Sequence, residues 1–241
     1  MNNHREYKQK LTSADEAVSF IPSDATISIG LRVATPPALL KAVEKRLRND
    51  KIDSLKVYYM RCGDVALETI FQEDLMDKVK PYSTMMTRGE IALAGKGFSK
   101  GKKYINFLPI TFSKYADYIK KTTELDAFLV TVAPIDQFGF FNFGLNGDYT
   151  IELARHAKKL IVEVNENLPR TSGQTMLHIS EVDHVIEFTA PLLEEPSLAV
   201  SDIDRQIGKY IVPLIPDGST IQMGIGGVPN AVCEQLTDKM I

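Results

Sequence analysis

The chain has 241 residues, of which 44% are hydrophobic and 24% are charged, and its formal net charge is −3. This length allows one large domain or one and a half ordinary ones. A slightly acidic chain lacks the basic surface that binding to nucleic acid or to an anionic membrane requires. Any anionic ligand must therefore be held by individual loops and side chains.

The first 120 residues alternate between predicted helices and strands. Ser13 and Glu16 have the spacing of a capping box, which predicts that a helix begins at Ala14. Pro36 and Pro37 suit the first turn of a helix, where a missing N–H costs little. In chain order we predict a helix over 14–20, a strand over 26–30, a small-residue loop, a helix from residue 36, a strand over 55–60, a helix over 65–79 and a strand over 82–87. Because Gly89, Gly95, Gly97 and Gly101 break any periodic pattern, we predict a loop-rich region with a possible helical turn over 88–103, followed by a strand over 104–110.

The rest of the chain continues this alternation. We predict a helix over 112–121, a strand over 127–133, an aromatic hairpin or extended loop over 138–144, a helix over 148–159, strands over 160–164 and 182–188, and a helix over 201–211. Residues 215–232 then suggest a turn, a buried strand, a glycine-rich loop and the start of a final helix over 229–241. Ser201 and Asp204 repeat the capping geometry of the first helix.

Most predicted strands are apolar on both faces, which indicates an α/β fold with a mostly parallel open sheet and helices on both faces. Ligand sites in such sheets lie at the carboxyl ends of strands, where loops lead into helices. Two glycine-containing loops, at 30–35 and 224–228, fall in that position. Their N–H groups suit an anion or a phosphate, although a tight turn without a ligand fits the pattern equally well.

The beginning of the chain recurs near its end, which favours an internal duplication. The matched residues are Ile21, Pro22, Thr26, Ile27, Gly30 and Pro36 with Ile215, Pro216, Thr220, Ile221, Gly224 and Pro229. We therefore predict that residues 1–200 form the first of two similar halves. Residues 201–241 would begin the second half, which breaks off at Ile241.

Two glutamates follow a buried strand, at a place where a carboxylate could act as nucleophile or base. They are Glu163 and Glu166. Pairing with an arginine such as Arg170, or capping a loop, is the favoured interpretation for both. The same alternatives apply to Glu90, which lies near the loop-rich region.

Other candidates point more weakly to a site. His178, Asp183 and His184 lack a compact ligand set, so no metal site is predicted. The aromatic residues of 138–143 could wall a substrate pocket or simply pack. Cys62 and Cys233 lie in apolar runs and are interpreted as buried free thiols of a reducing compartment. With no signal peptide or membrane span in the sequence, we expect a cytoplasmic protein.

Several segments closely resemble the acetyl-CoA hydrolase/transferase family, and within it the 4-hydroxybutyrate CoA-transferases. The resemblance spans most of the chain and is most specific in two motifs. These are Val-Glu-Val-Asn-x-Asn-x-Pro-Arg at 162–170 and Gly-Ile-Gly-Gly-x-Pro-Asn-Ala-Val at 224–232. Family members consist of two similar α/β halves, in agreement with the repeat.

The resemblance implies transfer of coenzyme A between carboxylic acids through a glutamyl-CoA thioester. It places CoA on the second glycine loop, at Gly224, Ile225, Gly226, Gly227 and Val228. The nucleophilic glutamate of the family follows this loop by roughly two dozen residues, so we expect it after Ile241 and assign no catalytic residue within the chain. The first loop lacks the second and third glycines, which suggests that Gly30, Thr35 and Pro36 line the acyl side.

The expected protein is thus an enzyme that uses acyl-CoA and small carboxylates, holds no permanent cofactor and forms a homo-oligomer when complete. The chain alone is expected to be an inactive fragment. An acyl-CoA hydrolase, in which water resolves the same thioester, remains an alternative. A non-catalytic ligand-binding or assembly module is the alternative from another class.

Overall fold

The computed structural model describes residues 3–194 and 198–237. The chain divides into two compact units, the first ending at Leu193 and the second beginning at Glu194. The first unit contains a seven-stranded parallel sheet with apolar cores on both faces, which confirms the predicted α/β fold class. Within the described ranges, no helix is both long and apolar enough to cross a membrane.

The first unit holds nine strands and seven α-helices in its described residues. The strands are β1 (Ala25–Ile29), β2 (Leu55–Tyr59), β3 (Val79–Ser83), β4 (Asn106–Phe107), β5 (Ala127–Val132), β6 (Phe140–Asn142), β7 (Leu160–Val164), β8 (Met176–His178) and β9 (His184–Glu187). The helices are α1 (Asn3–Lys10), α2 (Ala14–Ala17), α3 (Pro37–Arg48), α4 (Asp64–Glu68), α5 (Arg88–Ser99), α6 (Tyr115–Thr122) and α7 (Tyr149–His156). Strands β6 and β8 form a separate antiparallel ribbon.

The main sheet has the order β4-β3-β2-β1-β5-β7-β9, and its neighbours are parallel. The chain builds one side of the sheet from β1 to β4 and then continues with β5 on the other side of β1. The strand order therefore reverses between β1 and β5. In open α/β sheets a crevice forms outside the carboxyl ends of the strands at this reversal.

Strands β5 and β7 lie inside the sheet and are buried on both faces. All residues of both strands are buried, as their continuous apolar runs predict. Helices α2, α3, α4 and α5 contribute to the core on one face, and α6 and α7 contribute to the core on the other. Thr131 in β5 and Glu163 near the end of β7 are the exceptions to this apolar pattern.

The predicted helix over 65–79 is wrong, because the chain leaves helical geometry at Thr69 (φ −123°, ψ −97°). Only α4 and a 3₁₀ turn at Glu73–Leu75 form, and residues 79–83 pair with β2 instead. The strand predicted over 82–87 therefore begins earlier than its pattern indicates. It includes Pro81, whose missing N–H matters little because β4 pairs with β3 only from Tyr82 onward. The strand predicted over 104–110 shortens to β4.

The loop-rich prediction for 88–103 is also wrong, since α5 occupies most of this segment. Thr87 and Glu90 form a capping box, in which Thr87 Oγ1 accepts from the Glu90 N–H and the Glu90 carboxylate accepts from the Thr87 N–H. Gly97 packs where a Cβ would lie 2.8 Å from both the Lys102 carbonyl oxygen and the Tyr104 ring. This glycine therefore serves close packing within a helix and does not mark a loop.

Two glycines of α5 should respond in opposite directions to alanine. Gly95 is exposed with no atom within 4 Å of an added Cβ, so Gly95→Ala should raise the free energy of unfolding by about 0.5–1 kcal/mol. Gly97→Ala should lower it by about 1–3 kcal/mol through overpacking. Urea unfolding of both variants measures the difference. Equal shifts in the two variants would contradict the packing role of Gly97.

The second unit contains α8 (Asp202–Ile211), a 3₁₀ turn at Val212–Leu214 and α9 (Gly227–Gln235). The capping box of Ser201 and Asp204 is confirmed. The buried strand predicted before the glycine loop is wrong: residues 219–224 form no strand and are half-buried to exposed. A strand needs a partner, and the described residues 198–237 offer none. The predicted final helix begins at Gly227, and residues 238–241 lie outside the described residues.

Candidate functional site

A cavity of about 320 Å³ lies at the carboxyl edge of the sheet, beside the reversal between β1 and β5. Its walls come from the loops after β1, β2, β7 and β9 and from the end of β5. The lining residues are Arg32, Val33, Thr35, Pro37, Gly63, Asp64, Val65, Thr131, Asn165 and 190–193. The cavity thus occupies the position at which open α/β sheets bind ligands.

The first glycine loop forms the wall between β1 and α3. Gly30 is required because a Cβ there would lie 2.3 Å from the Ala34 carbonyl oxygen, where a 3₁₀ turn folds back. Thr35 Oγ1 donates to the Gly30 carbonyl oxygen and accepts from the Gly63 N–H, both at 3.0 Å. Of the three residues predicted to line the acyl side, Thr35 is among the lining residues. Gly30 and Pro36 are not among them: Gly30 allows the tight turn of the loop, and Pro36 occupies the N-cap position of α3.

Glu163 is fully buried at the end of β7, beneath the N-terminus of α3. Its Oε2 accepts from the Leu39 N–H at 2.9 Å, while Oε1 has no hydrogen-bond partner in the described part of the chain. Burial raises the pKa of this carboxyl group from 4.5 to about 7, and backbone hydrogen bonds from Leu39 and Ala38 oppose the rise. Glu163 therefore caps a helix across a large distance in sequence, and no arginine pairs with it within the described residues.

This arrangement closes the N-terminus of α3 to external anions. Pro36 and Pro37 have no N–H, and the Leu39 N–H is already bound to Glu163. The donors that normally make a helix N-terminus an anion site are thus missing or occupied. The first glycine loop contributes Arg32, Val33 and Thr35 to the wall of the cavity.

Two further polar residues line the cavity near the ends of β5 and β7. The Asn165 side chain is satisfied, because its Nδ2 donates to the Ala190 carbonyl oxygen and its Oδ1 accepts from the Asn167 N–H. The hydroxyl oxygen of Thr131 is buried without a partner among the described residues. No motif in the sequence marks Thr131, whose only signal is a hydroxyl residue within an otherwise apolar strand.

The other carboxylates considered from sequence lie in different surroundings. Glu90 is buried within α5, where its Oε1 accepts from the Tyr59 hydroxyl at 2.7 Å and its Oε2 completes the capping box. Glu166 is exposed and lines a separate cavity that also includes Tyr7. Arg170 pairs with Asp136 at 3.0 Å and not with either glutamate after β7. The structure therefore does not bring these groups together.

The histidines serve structural roles. His178 Nδ1 bonds to the Ser180 hydroxyl at 2.8 Å, and the His184 ring stacks on Phe20. Asp183 accepts from Lys159 and from the Leu160 N–H. Over the described ranges, no group of three His, Cys, Asp or Glu residues could hold a metal ion.

The aromatic segment after β5 serves to pack and to pair. Its central residues form β6, which pairs with β8, and Phe141 and Phe143 are buried in the core. None of its residues is among those lining the cavity at the reversal of strand order. Of the two cysteines, Cys62 is buried as predicted, whereas the prediction for Cys233 is wrong because α9 exposes it within its unit.

The second glycine loop leads into α9 without a side-chain cap. Gly226 has φ 145° and ψ 174°, a backbone conformation that favours glycine. A Cβ on Gly227 would lie 2.4 Å from an Asp204 carboxylate oxygen, and Ile225 is 90% exposed. A shallow cavity of about 330 Å³ beside the loop is lined mainly by apolar side chains, including Val228.

Comparison with known proteins shows which family of proteins the chain resembles. Residues 1–193 match the model of the acetyl-CoA hydrolase/transferase N-terminal domain. The chain is 33% identical over 243 residues to butyryl-CoA:acetate CoA-transferase from Anaerostipes caccae, covering 99% of this chain and 52% of that protein. It is 31% identical over 235 residues to 4-hydroxybutyrate coenzyme A transferase from Clostridium kluyveri, covering 97% and 52%.

A solved structure agrees with these matches. The crystal structure of RipA from Yersinia pestis superimposes with a TM-score of 0.94 at 39% identity, covering 99% of this chain and 56% of that one. The chain spans about half the length of the curated relatives it matches. The family indicated by the sequence motifs is therefore confirmed. The chain belongs to the acetyl-CoA hydrolase/transferase family, and its residues 1–193 carry the N-terminal domain of that family.

Proposed function

We propose that this chain contributes to the transfer of coenzyme A between an acyl-CoA and a short-chain carboxylate of the 4-hydroxybutyrate or acetate type. The reaction proceeds through a glutamyl-CoA thioester, whose glutamate we assign outside residues 1–241. The supporting observation is the cavity at the reversal of strand order, in a chain that belongs to a family of CoA-transferring enzymes. Coenzyme A acts as a substrate and not as a permanent cofactor.

In this proposal the cavity receives the acyl group. Val33, Pro37 and Val65 give it apolar lining that suits a short carbon chain. Glu163 is unsuited to nucleophilic attack, because it is buried under α3 and accepts a hydrogen bond from Leu39. Its role is to hold the helix that forms one wall.

The second glycine loop is proposed to contact CoA through Gly224, Ile225, Gly226, Gly227 and Val228. Support comes from the match to the family motif and from the open backbone before α9, where glycines allow a ligand to approach the N–H groups. We place the reaction in the cytoplasm, since Cys62 is a buried free thiol. We expect the complete enzyme to be a homo-oligomer.

An activity assay tests the proposal. The purified 241-residue chain should show no transfer from acetyl-CoA to 4-hydroxybutanoate. Joining it to the second half of the Anaerostipes caccae relative should give acceptor-dependent transfer. Transfer by the chain alone would contradict the assignment of the nucleophile. Thioester loss by the joined protein at equal rates with and without the carboxylate acceptor would instead identify a hydrolase.

A further inference from the structure

The outer face of α5 carries an apolar stripe that the described part of the chain leaves exposed. Ile91 is 56% exposed and Phe98 is 70% exposed. Their spacing of seven residues places them two turns apart on one side of the helix, with Gly95 between them. A surface helix normally presents polar residues to water on this side. The stripe therefore indicates contact with another protein surface.

The glycine in the middle of the stripe has no packing role within the described residues. A Cβ on Gly95 would meet no atom within 4 Å, in contrast to Gly97, where a Cβ would overlap Lys102 and Tyr104. Glycine inside an exposed helix costs stability relative to alanine. Its advantage is that the backbone of a second helix can approach closely at that point. The exposed Ala92 lies on the same side of α5 and is also small.

The stripe is self-complementary when two copies of α5 lie antiparallel and cross at Gly95. Ile91 precedes Gly95 by four residues and Phe98 follows it by three, so the Phe98 ring of each copy would lie beside Ile91 of the other. The same surface then serves both partners, as two-fold symmetry requires.

The charges around the stripe favour the antiparallel arrangement. Lys96 and Lys100 both pair with Glu73 of their own chain, so they add little positive charge to the contact. Arg88 is the other cation of α5 and lies at the N-terminal end of the stripe. An antiparallel dimer keeps its two Arg88 residues about 20 Å apart along the helix axis, whereas a parallel dimer would bring them together.

The apolar area on this side of the first unit suits a dimer. Phe107 of β4 is 51% exposed and lies on the sheet face that α5 covers, because it is in register with the buried Ser83. Together with Ile91 and Phe98 it exposes about 300–400 Å² in each chain, taking roughly 150–250 Å² for a large side chain. Two copies thus bring together about 600–800 Å². The small residues and the polar rim bring the contact near the lower end of specific interfaces, about 1,200 Å² in total.

We propose that this chain forms a two-fold symmetric dimer through the outer face of α5, with the two helices antiparallel and crossing at Gly95. Phe98 and Ile91 are the apolar anchors of the contact, and Gly95 allows the helices to approach. The inference assigns a surface to the homo-oligomer expected of the complete enzyme. It does not rest on the transfer reaction, because no substrate takes part in the contact.

Sedimentation equilibrium of the 241-residue chain tests the proposal. Between about 1 and 300 μM protein, the average mass should rise from that of one chain towards that of two, as expected of an interface of this size. Phe98→Glu places a charge in the contact twice and should raise the dimer dissociation constant at least about 100-fold. Gly95→Ala should raise it about 10-fold by separating the helices, although it stabilises the dilute monomer.

Phe138→Glu is the matched control. Phe138 is 66% exposed, nearly as much as Phe98, and lies in the turn before β6 and not on α5. This variant should dimerise like the wild type. Circular dichroism shows whether each variant is folded. If Phe98→Glu is not folded, the opposite effects of Gly95→Ala on stability and on association decide.

A wild-type chain that stays monomeric over this range would overturn the inference. A dimer that persists in Phe98→Glu would do the same, because another surface would then form it. Equal weakening by Phe138→Glu would show unspecific association of exposed aromatic side chains and would also overturn it. The mass measurement requires neither CoA nor turnover, so it can succeed even if the joined protein transfers no CoA, and it can fail even if transfer is observed.

Discussion

Glu163→Gln should abolish most of the pH dependence of stability between about pH 4.5 and pH 7. The folded protein raises the pKa of Glu163 from 4.5 to about 7 through burial, so the folded state binds more protons than the unfolded state across this window. The free energy of unfolding of the wild type should therefore fall as pH rises through the window and level off above it. The total fall expected from one group is about 3 kcal/mol.

Glutamine carries no charge at any of these pH values and can still accept from the Leu39 N–H through its amide oxygen. The variant and the wild type should thus be similar in stability near pH 4.5. Near pH 8 the variant should be more stable by up to about 3 kcal/mol. Urea unfolding at a series of pH values measures this difference.

Glu166→Gln is the matched control, because it removes an exposed carboxyl group three residues further along the chain. Its stability profile should follow that of the wild type. A Glu163→Gln profile with the wild-type slope would show that the carboxyl group after β7 ionises as freely in the folded state as in the unfolded state. Burial would then not oppose the ionisation of the carboxyl group that caps α3.

The central strands and the place of the first glycine loop could be predicted from sequence because their signals are local. The apolar runs of β5 and β7 require burial on both faces, whatever the rest of the chain does. A short β-branched strand followed by Gly30 and two prolines indicates a tight turn between a strand and a helix. These signals predict that the loop lies at the carboxyl edge of the sheet, where the cavity is found.

Glycine and proline led to errors where packing at a distance decided the structure. Gly97 suggested a loop, yet it is selected by the approach of Lys102 and Tyr104 to a helix. Strand β3 includes Pro81, which the predicted strand over 82–87 left out, because the short β4 leaves the missing donor of this proline unneeded. The strand predicted before the second glycine loop does not form, although its residue pattern suits a strand. No neighbouring strand is present among the described residues to pair with it.

The buried polar residues near the carboxyl ends of β5 and β7 make contacts that no local pattern reveals. Glu163 bonds to Leu39, 124 residues earlier in the chain. Thr131 lies beside Glu163 only because β5 and β7 are neighbours in the sheet. The sequence favours an arginine partner or a loop cap for Glu163 over a role as a base, whereas the fold uses its carboxylate to cap α3.

Gly226→Ala should weaken the binding of CoA by about 10-fold or more, if the second glycine loop contacts CoA as proposed. At φ 145° and ψ 174° an alanine is strained by about 1–3 kcal/mol, so the backbone at residue 226 would change its conformation. The N–H groups before α9 would then be displaced from the positions that they hold relative to the helix. Calorimetric titration of CoA into the 241-residue chain measures the change.

Gly218→Ala is the control for backbone strain, because Gly218 also has a positive φ, 78°, and lies in the same unit but outside the proposed CoA loop. Both substitutions should lower the stability of the second unit, whereas only Gly226→Ala should lower the affinity for CoA. Equal CoA dissociation constants for the wild type and both variants would remove CoA from this loop. Equal weakening in both variants would show that the unit as a whole, and not the conformation of Gly226, governs binding, because strain at Gly218 lies outside the loop that we propose as the contact.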